Sequence, residues 1–383
     1  MKKRKIVIVG AGPAGYNAAK AAIGENAEVS LYGSEAYLPY WRPQLPKIVV
    51  SGAGPETIAI ANAEWYKDNG ISFYPNKTMV SIDQEEKRVV WADGERTAYD
   101  KLILAIGASS FVPDIGYDGN VLSLRSYDDA LAIRQCVLAK GKAVVIGGGL
   151  LGLELAMEIT KLGAEVAVFE RAPWLMPRQL DQAGGNFLQR KLTEQGLLIK
   201  TAINAGDHLE ELEGACVIMA AGVRSNIAVA KDAGLEIGRA IVVNNKMETS
   251  SEDIYACGDV AEFNGRAWGL IPVANSQGMI AGKCACENQG EYQEILPSPM
   301  LKVASLNITS VGDIAEDAEA QWYRHEDDDT YRAFKVRDGK LLAAIIFNDM
   351  KLSMKAKKFI DQKNNLIGQL SDQSIIQQVE SVG

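Results

Sequence analysis

The sequence predicts an α/β fold built on two copies of one strand, turn, helix, strand unit, followed by a small C-terminal α+β domain. Three observations carry this. Lys5 to Ala22 reads KIVIVGAGPAGYNAAKAA, an apolar run that ends in Gly10, Gly12 and Gly15 and continues as an alanine-rich helix. A shift of 137 residues lays Lys142 to Gly152, KAVVIGGGLLG, on Lys5 to Gly15, so that Gly147, Gly149 and Gly152 fall on the same three glycines. The register persists past the helix, where Ala164 to Glu170, AEVAVFE, falls on Ala27 to Gly33, AEVSLYG.

Each glycine of the triplet has its own task. The first makes the tight turn, the second lets backbone approach a pyrophosphate, and the third lets the helix pack on the strand, leaving free N–H groups at the helix N-terminus to face phosphate. Two such units in one chain predict two dinucleotide sites. Glu170 closes the second copy, where a carboxylate accepts hydrogen bonds from an adenosine ribose and repels a 2′-phosphate, favouring NADH over NADPH. Arg171 and Arg178 lie close by in sequence and act in the opposite sense. In the first copy Gly33 occupies the matching position, and Glu35, two residues later, is the expected ribose acceptor.

The remaining elements follow in order. Tyr37 to Lys47, YLPYWRPQLPK, has three aromatics and three prolines around Arg42 and Lys47 and reads as a stiff, non-helical loop. Residues 56 to 69 read as helix, and Ile71 to Tyr74 and Val80 to Ile82 as strands. Arg88 to Trp91 and Tyr99 to Ala105 bracket the turn Asp93-Gly94. Leu102 to Gly107 is a buried strand ending in glycine, the end at which a doubly wound sheet holds its ligand. Ala215 to Asn226 repeats that pattern, and Thr249 to Glu262 delivers Asp259 just after Gly258. A helix is expected over Ile271 to Ala285, its N-terminal dipole aimed to stabilise negative charge. From Ser298 the tail is rich in strands, with Tyr331 to Val336 and Leu341 to Phe347 flanking Asp338-Gly339. Glu326 to Asp329 is expected as a solvated acidic loop.

Composition narrows the classes. At 383 residues, two or three domains are expected, and a formal charge of −9 disfavours non-specific nucleic-acid binding. No apolar run reaches the roughly 18 residues of a membrane span. MKKRK resembles the start of a signal peptide, but Ile6 to Val9 runs straight into the glycine turn, so a cytoplasmic N-terminus is expected. Five cysteines, Cys136, Cys216, Cys257, Cys284 and Cys286, show no metal-binding spacing, and reduced thiols with no metal site are the expectation.

These segments, in this order, resemble the two-dinucleotide flavoprotein reductases, which include glutathione reductase, coenzyme A disulfide reductase, oxygenase-coupled ferredoxin reductases and NADH:rubredoxin oxidoreductases. The carriers are GAGPAG (Gly10 to Gly15), GSEAYLPYWRPQLPK (Gly33 to Lys47), LILAIGA (Leu102 to Ala108), LRSYDDA (Leu124 to Ala130), GGGLLGLELA (Gly147 to Ala156) and YACGDVAE (Tyr255 to Glu262). The pairing of YLPYWRP with ERAPWLMPRQLD (Glu170 to Asp181) brings the rubredoxin oxidoreductases, and the flavoprotein segment of NADH-dependent nitrite reductases, nearest.

The resemblance implies FAD and NADH as cofactors. Gly10, Gly12, Ala14, Gly15, Glu35, Arg42, Lys47, Val80, Arg125, Asp259 and Ile271 would line FAD, with Val80 acting through its backbone near the adenine. Gly147, Gly149, Leu150, Gly152, Glu170 and Gly222 would hold NADH. Lys47 and Glu154 would pair beside the reactive flavin nitrogen. The implied domains are a discontinuous FAD-binding domain (1–115 and 243–297), a NAD-binding domain (116–242) and the C-terminal domain (298–383).

Two departures matter. Disulfide reductases carry a redox cysteine in the segment Tyr37 to Lys47, which here has none, and neither histidine, His208 or His325, stands in an acid/base motif. What is left is hydride transfer from NADH to flavin, then electron delivery to a small redox protein such as rubredoxin, in a monomer or homodimer without nucleic acid or membrane. The other readings are an NADH oxidase or peroxidase, a flavoprotein component of a nitrite reductase, and an FAD-binding interaction protein with little turnover.

Overall fold

The structure, a computed structural model, describes residues 3–287, 289–294, 300–315 and 317–381; the first two residues of MKKRK and the expected boundary between 297 and 298 lie outside these. Residues Met1–Phe111, Arg125–Tyr127 and Gly222–Pro297 form one unit, and Val112–Leu124, Asp128–Ala221 and Ser298–Gly383 the other. Residues 222–242, expected with the NAD-binding segment, fall in the first unit, where Val223–Ser225 pairs antiparallel with Ala108–Ser110.

The first unit holds a five-stranded parallel sheet in the order Ile254–Ala256, Lys101–Leu104, Arg4–Val9, Ala27–Tyr32, Ile71–Tyr74. Arg4–Val9 lies at its centre, and Ile6 to Val9 are at most 3% exposed, as a strand covered on both faces requires. The helix Pro13–Ala21 packs on Ile271–Glu287 at unusually short range. A Cβ on Gly278 would lie 2.2 Å from the Ala14 carbonyl oxygen, and one on Gly282 would lie 2.2 Å from that of Ala18. The pairs 14/278 and 18/282 advance together, so the helices are parallel and both N-termini point to the edge where the strands end.

Three local expectations are corrected. The partner of Arg88–Trp91 is Arg96–Ala98, whereas Lys101–Leu104 enters the main sheet, because its unbroken apolar run suits a strand buried on both faces. Residues 56–69 are not one helix. A 3-10 turn, Pro55–Ile58, precedes a helix, Ala63–Asp68, that starts where the Asn62 side chain accepts from Trp65 N. The segment Tyr37 to Lys47 is not wholly non-helical, since Arg42–Gln44 forms a 3-10 turn and Leu45–Ser51 a helix. Pro46 sits in the first turn of that helix, where no N–H is required, and Gly52 ends it at φ +62°.

The second unit repeats the topology with the order Val121–Ser123, Cys216–Met219, Lys142–Ile146, Glu165–Phe169, Leu198–Lys200, all parallel. It also holds a five-stranded antiparallel sheet, ordered Met300–Val303, Leu306–Gly312, Lys340–Phe347, Tyr331–Arg337, Gln321–Glu326. The helices Met350–Asp361 and Asp372–Glu380 cover it, burying Leu352, Phe359, Ile375 and Val379 against Phe334 and Ile346. Asp181 fastens this sheet to the helix Gln182–Glu194. It caps the helix through Gly184 N (3.0 Å) and accepts from Arg324 Nε (2.7 Å) and Tyr331 OH (2.7 Å). Among the described residues no helix is long and apolar enough to cross a membrane.

Candidate functional site

Both glycine turns have the geometry that the triplet demands. Gly10 has φ +110°, and a Cβ there would stand 2.1 Å from the Ala105 carbonyl oxygen; for Gly15 the distance to the Gly10 oxygen would be 1.8 Å. Gly147, at φ +123°, and Gly152 repeat this with 2.5 Å to the Ala220 oxygen and 2.1 Å to the Gly147 oxygen. The middle glycines differ from these. A Cβ on Gly12 or Gly149 would meet nothing within 4 Å, and each caps its helix, Pro13–Ala21 or Leu150–Thr160, without a side-chain hydrogen bond. Open space over uncapped N–H groups at a helix start is what a pyrophosphate fits. Ala14 and Leu150 stand in the two first turns.

The carboxylates after the second strands are held in contrasting ways. Glu170 is tied to the backbone of its own turn, its Oε2 accepting from Gly148 N and its Oε1 from Ala172 N, both at 2.6 Å. Glu35 is gripped by side chains, with Oε1 accepting from Arg42 Nη2 (2.7 Å) and Oε2 from Tyr40 OH (2.5 Å). The Tyr40 oxygen in turn accepts from Tyr127 N at 3.0 Å, and Arg42 Nη1 donates to the Arg125 carbonyl. Burial pushes the Tyr40 hydroxyl above its ordinary pKa and the Glu35 carboxylate adds to this, outweighing Arg42, so Tyr40 remains a proton donor at neutral pH.

From Arg125 the network runs on to Asp259, whose Oδ2 lies 2.8 Å from Arg125 Nη2. Asp259 sits in a 3-10 turn, Gly258–Val260, at the end of strand Ile254–Ala256. Ser225 Oγ donates to its carbonyl (2.7 Å), and Gly258 N donates to Gln277 Oε1 (2.9 Å), Gln277 being 1% exposed. The structure thus brings Gly10, Gly12, Gly15, Arg125, Asp259 and the start of the Ile271–Glu287 helix to the ligand edge of the first sheet. Val80 sits at a β-bulge, where the pairing of Met79–Asp83 with Arg88–Trp91 shifts register, so its backbone leaves the ladder. Gly222, at φ +99°, belongs to the first unit, and its carbonyl accepts from Phe111 N (2.9 Å). Lys47 is exposed on Leu45–Ser51 in the first unit, and Glu154 is half-buried on Leu150–Thr160 in the second.

Tyr40, Gln277 and Ser225 were assigned no role from sequence. The one signal for Gln277 is a long polar side chain inside an otherwise small and apolar helix, in the run VANSQGMIAG, where Asn275 and Ser276 are the other polar residues. For the cysteines, burial raises the Cys216 and Cys257 thiols, Cys257 to about 12, so both stay neutral at pH 7.

The sequence matches the family profile described as pyridine nucleotide-disulphide oxidoreductase over residues 4–278. The chain belongs to that family. A second profile, the C-terminal domain of rubredoxin NAD+ reductase, matches residues 297–364. Among relatives, the NADH-rubredoxin oxidoreductase of Clostridium acetobutylicum is 41% identical over 95% of this chain and 96% of its own length. The crystal structure of the NADH:rubredoxin oxidoreductase from that organism superposes with a TM-score of 0.93 at 40% identity, covering 98% of this chain and 100% of that one. The NAD(P)H nitrite reductase of Bacillus subtilis is 32% identical over 98% of this chain, which spans only 49% of that longer protein. This pyridine nucleotide-disulphide oxidoreductase thus has the two-dinucleotide flavoprotein fold with an added C-terminal domain.

Proposed function

We propose that this chain is an NADH-dependent flavoprotein reductase that moves electrons from NADH, through FAD, to a small one-electron redox protein of the rubredoxin type. The observation that carries this is the pair of glycine cradles, each with open space over its middle glycine, in a chain whose segment Tyr37 to Lys47 holds no cysteine. Bound FAD supplies two-electron acceptance and one-electron release. The chain supplies binding and electrostatics.

Gly10, Gly12, Ala14 and Gly15 would receive the FAD pyrophosphate, Glu35 and Arg42 the adenosine side, and Val80, through its bulged backbone, the adenine. Arg125, Asp259 and Ile271 would serve the flavin side, where the dipole of the Ile271–Glu287 helix favours negative charge. Gly147, Gly149, Leu150, Gly152, Glu170 and Gly222 would hold NADH, and Glu170 disfavours a 2′-phosphate. Lys47 and Glu154 would act as an ion pair beside the flavin, adjusting its electrostatics. The reading carries with it a cytoplasmic setting and a monomer or homodimer.

The test is anaerobic mixing with NADH, followed by rubredoxin. Rapid flavin bleaching, then stoichiometric rubredoxin reduction, is expected, and a flavin that stays oxidised in excess NADH would sink the proposal. Fast NADH consumption in air without a protein acceptor would point to an oxidase instead. The Lys47→Ala variant should shift the flavin midpoint potential and slow bleaching; an unchanged potential and rate would remove Lys47 from the site.

A further inference from the structure

We infer that Tyr40 is a positioning residue for the adenosine half of FAD, and that it ties that half to the three-residue excursion Arg125–Tyr127. The inference rests on the FAD reading above and adds a residue and a linkage to it.

Tyr40 is 4% exposed, and its hydroxyl sits at a junction. It donates to Glu35 Oε2 and accepts from Tyr127 N, so its single proton is committed to the carboxylate and the backbone amide fixes that choice. Arg42 holds the other Glu35 oxygen while donating to the Arg125 carbonyl. Tyr127 is held twice more, through its OH to the Ala53 carbonyl (3.0 Å), just past the helix Leu45–Ser51, and through its ring against Tyr37, 4.9 Å between centroids at 68°. Arg125–Tyr127 is the only stretch between Val112 and Ala221 that joins the first unit. A ribose bonded to Glu35 therefore stiffens a carboxylate whose other partners lead, through Tyr40 and Arg42, to that stretch. Glu35 cannot turn away without stranding the Tyr40 proton, and Tyr40 cannot turn without stranding a buried amide.

The test uses the deflavinated full-length protein with FAD and with ADP, which carries only the adenosine half. In Tyr40→Phe the ring is kept and one hydroxyl is lost, and Kd for both ligands should rise about tenfold, the usual worth of one hydrogen bond to a charged group. In a Glu35→Ala background the same change should have no further effect on either Kd. Hydrogen exchange of the wild-type protein gives a second reading independent of the variant's folding: ADP and FAD should each slow the Tyr127 amide at least about tenfold. A structural role alone would lower the melting temperature while leaving both Kd values and the exchange response unmoved, and that result overturns the inference. So does weakening of FAD without ADP, or additive effects with Glu35→Ala. If the wild-type protein binds neither ligand, the FAD reading falls as well; normal FAD binding by Tyr40→Phe overturns this inference alone.

Discussion

The two glycine cradles share a backbone and differ in where they place one small residue. In the first, Ala11 follows the turn glycine and the strand end across from it is Gly33, whose Cβ would come within 2.9 Å of that of Ala11. In the second the arrangement is swapped. Gly148 follows the turn glycine and the strand end bears Glu170, with 3.0 Å between the Glu170 Cβ and the place a Gly148 Cβ would occupy. Only one partner of each pair has room for a side chain. Where the strand end wins, a carboxylate is held by its own turn; where the turn wins, the carboxylate moves on to Glu35 and must be held by Tyr40 and Arg42. The repeat keeps the geometry of the glycine turn, and the swap sets how each copy holds the carboxylate that the proposed function assigns to its dinucleotide.

The comparison breaks most readily at the third glycines. Gly15→Ala forces a methyl onto the Gly10 carbonyl oxygen, and we expect a protein purified without flavin and destabilised by about 3 kcal/mol in denaturant unfolding. Gly152→Ala makes the matching collision in the other copy and should keep its flavin spectrum yet fail to bleach with NADH. Loss of flavin from both variants would erase the distinction between the copies.

Next in size is Glu170→Ala, which removes two backbone hydrogen bonds and the charge that, on the proposed function, would oppose a 2′-phosphate. The ratio of kcat/KM for NADH over NADPH should fall about 30-fold, the equivalent of about 2 kcal/mol. Gly148→Ala tests the swap itself. Crowding Glu170 and Leu175 should raise KM for NADH several-fold, about 1 kcal/mol of strain, with flavin content unchanged.

The smallest effect lies at the opposite edge of the first sheet, where Asp253 joins strands Ile254–Ala256 and Lys101–Leu104 through Lys101 at 2.5 Å, with Lys87 as a second partner. Burial works to raise the Asp253 carboxyl, but hydrogen bonds from both lysines outweigh it and hold it below its usual range. Its contribution is therefore complete above the ordinary carboxylate range and drains away as pH falls from about 4 towards the lower folded value. Asp253→Asn, tolerated at φ +66°, should cost about 1 kcal/mol at pH 7 and flatten that acid limb, with FAD and NADH binding untouched.

What the sequence revealed, and what it hid, follows from range. The glycine triplets, the apolar central strands and the Ile271–Glu287 helix were legible because each is a local pattern with one physical meaning. Pairing was harder to read. Arg96–Ala98 and Lys101–Leu104 both suit a strand after Asp93-Gly94, and only burial in the main sheet separates them. Tyr40 and Gln277 were silent because their roles are set by Tyr127 and Gly258, 87 and 19 residues away in the chain. Asp181 closes the signature ERAPWLMPRQLD, yet its partners Arg324 and Tyr331 show it fastening the antiparallel sheet rather than lining a cradle.

The packing of Gly278 and Gly282 on Ala14 and Ala18 also sets an order of events during synthesis. The second parallel sheet draws all its strands from residues 121–219, a continuous stretch that has left the ribosome while the first sheet still lacks Ile254–Ala256 and the helix behind its cradle. The cradle encoded first is thus completed last. The nascent chain has every strand of its second parallel sheet before the first sheet is complete, so on the proposed function flavin capture comes late in the protein's synthesis.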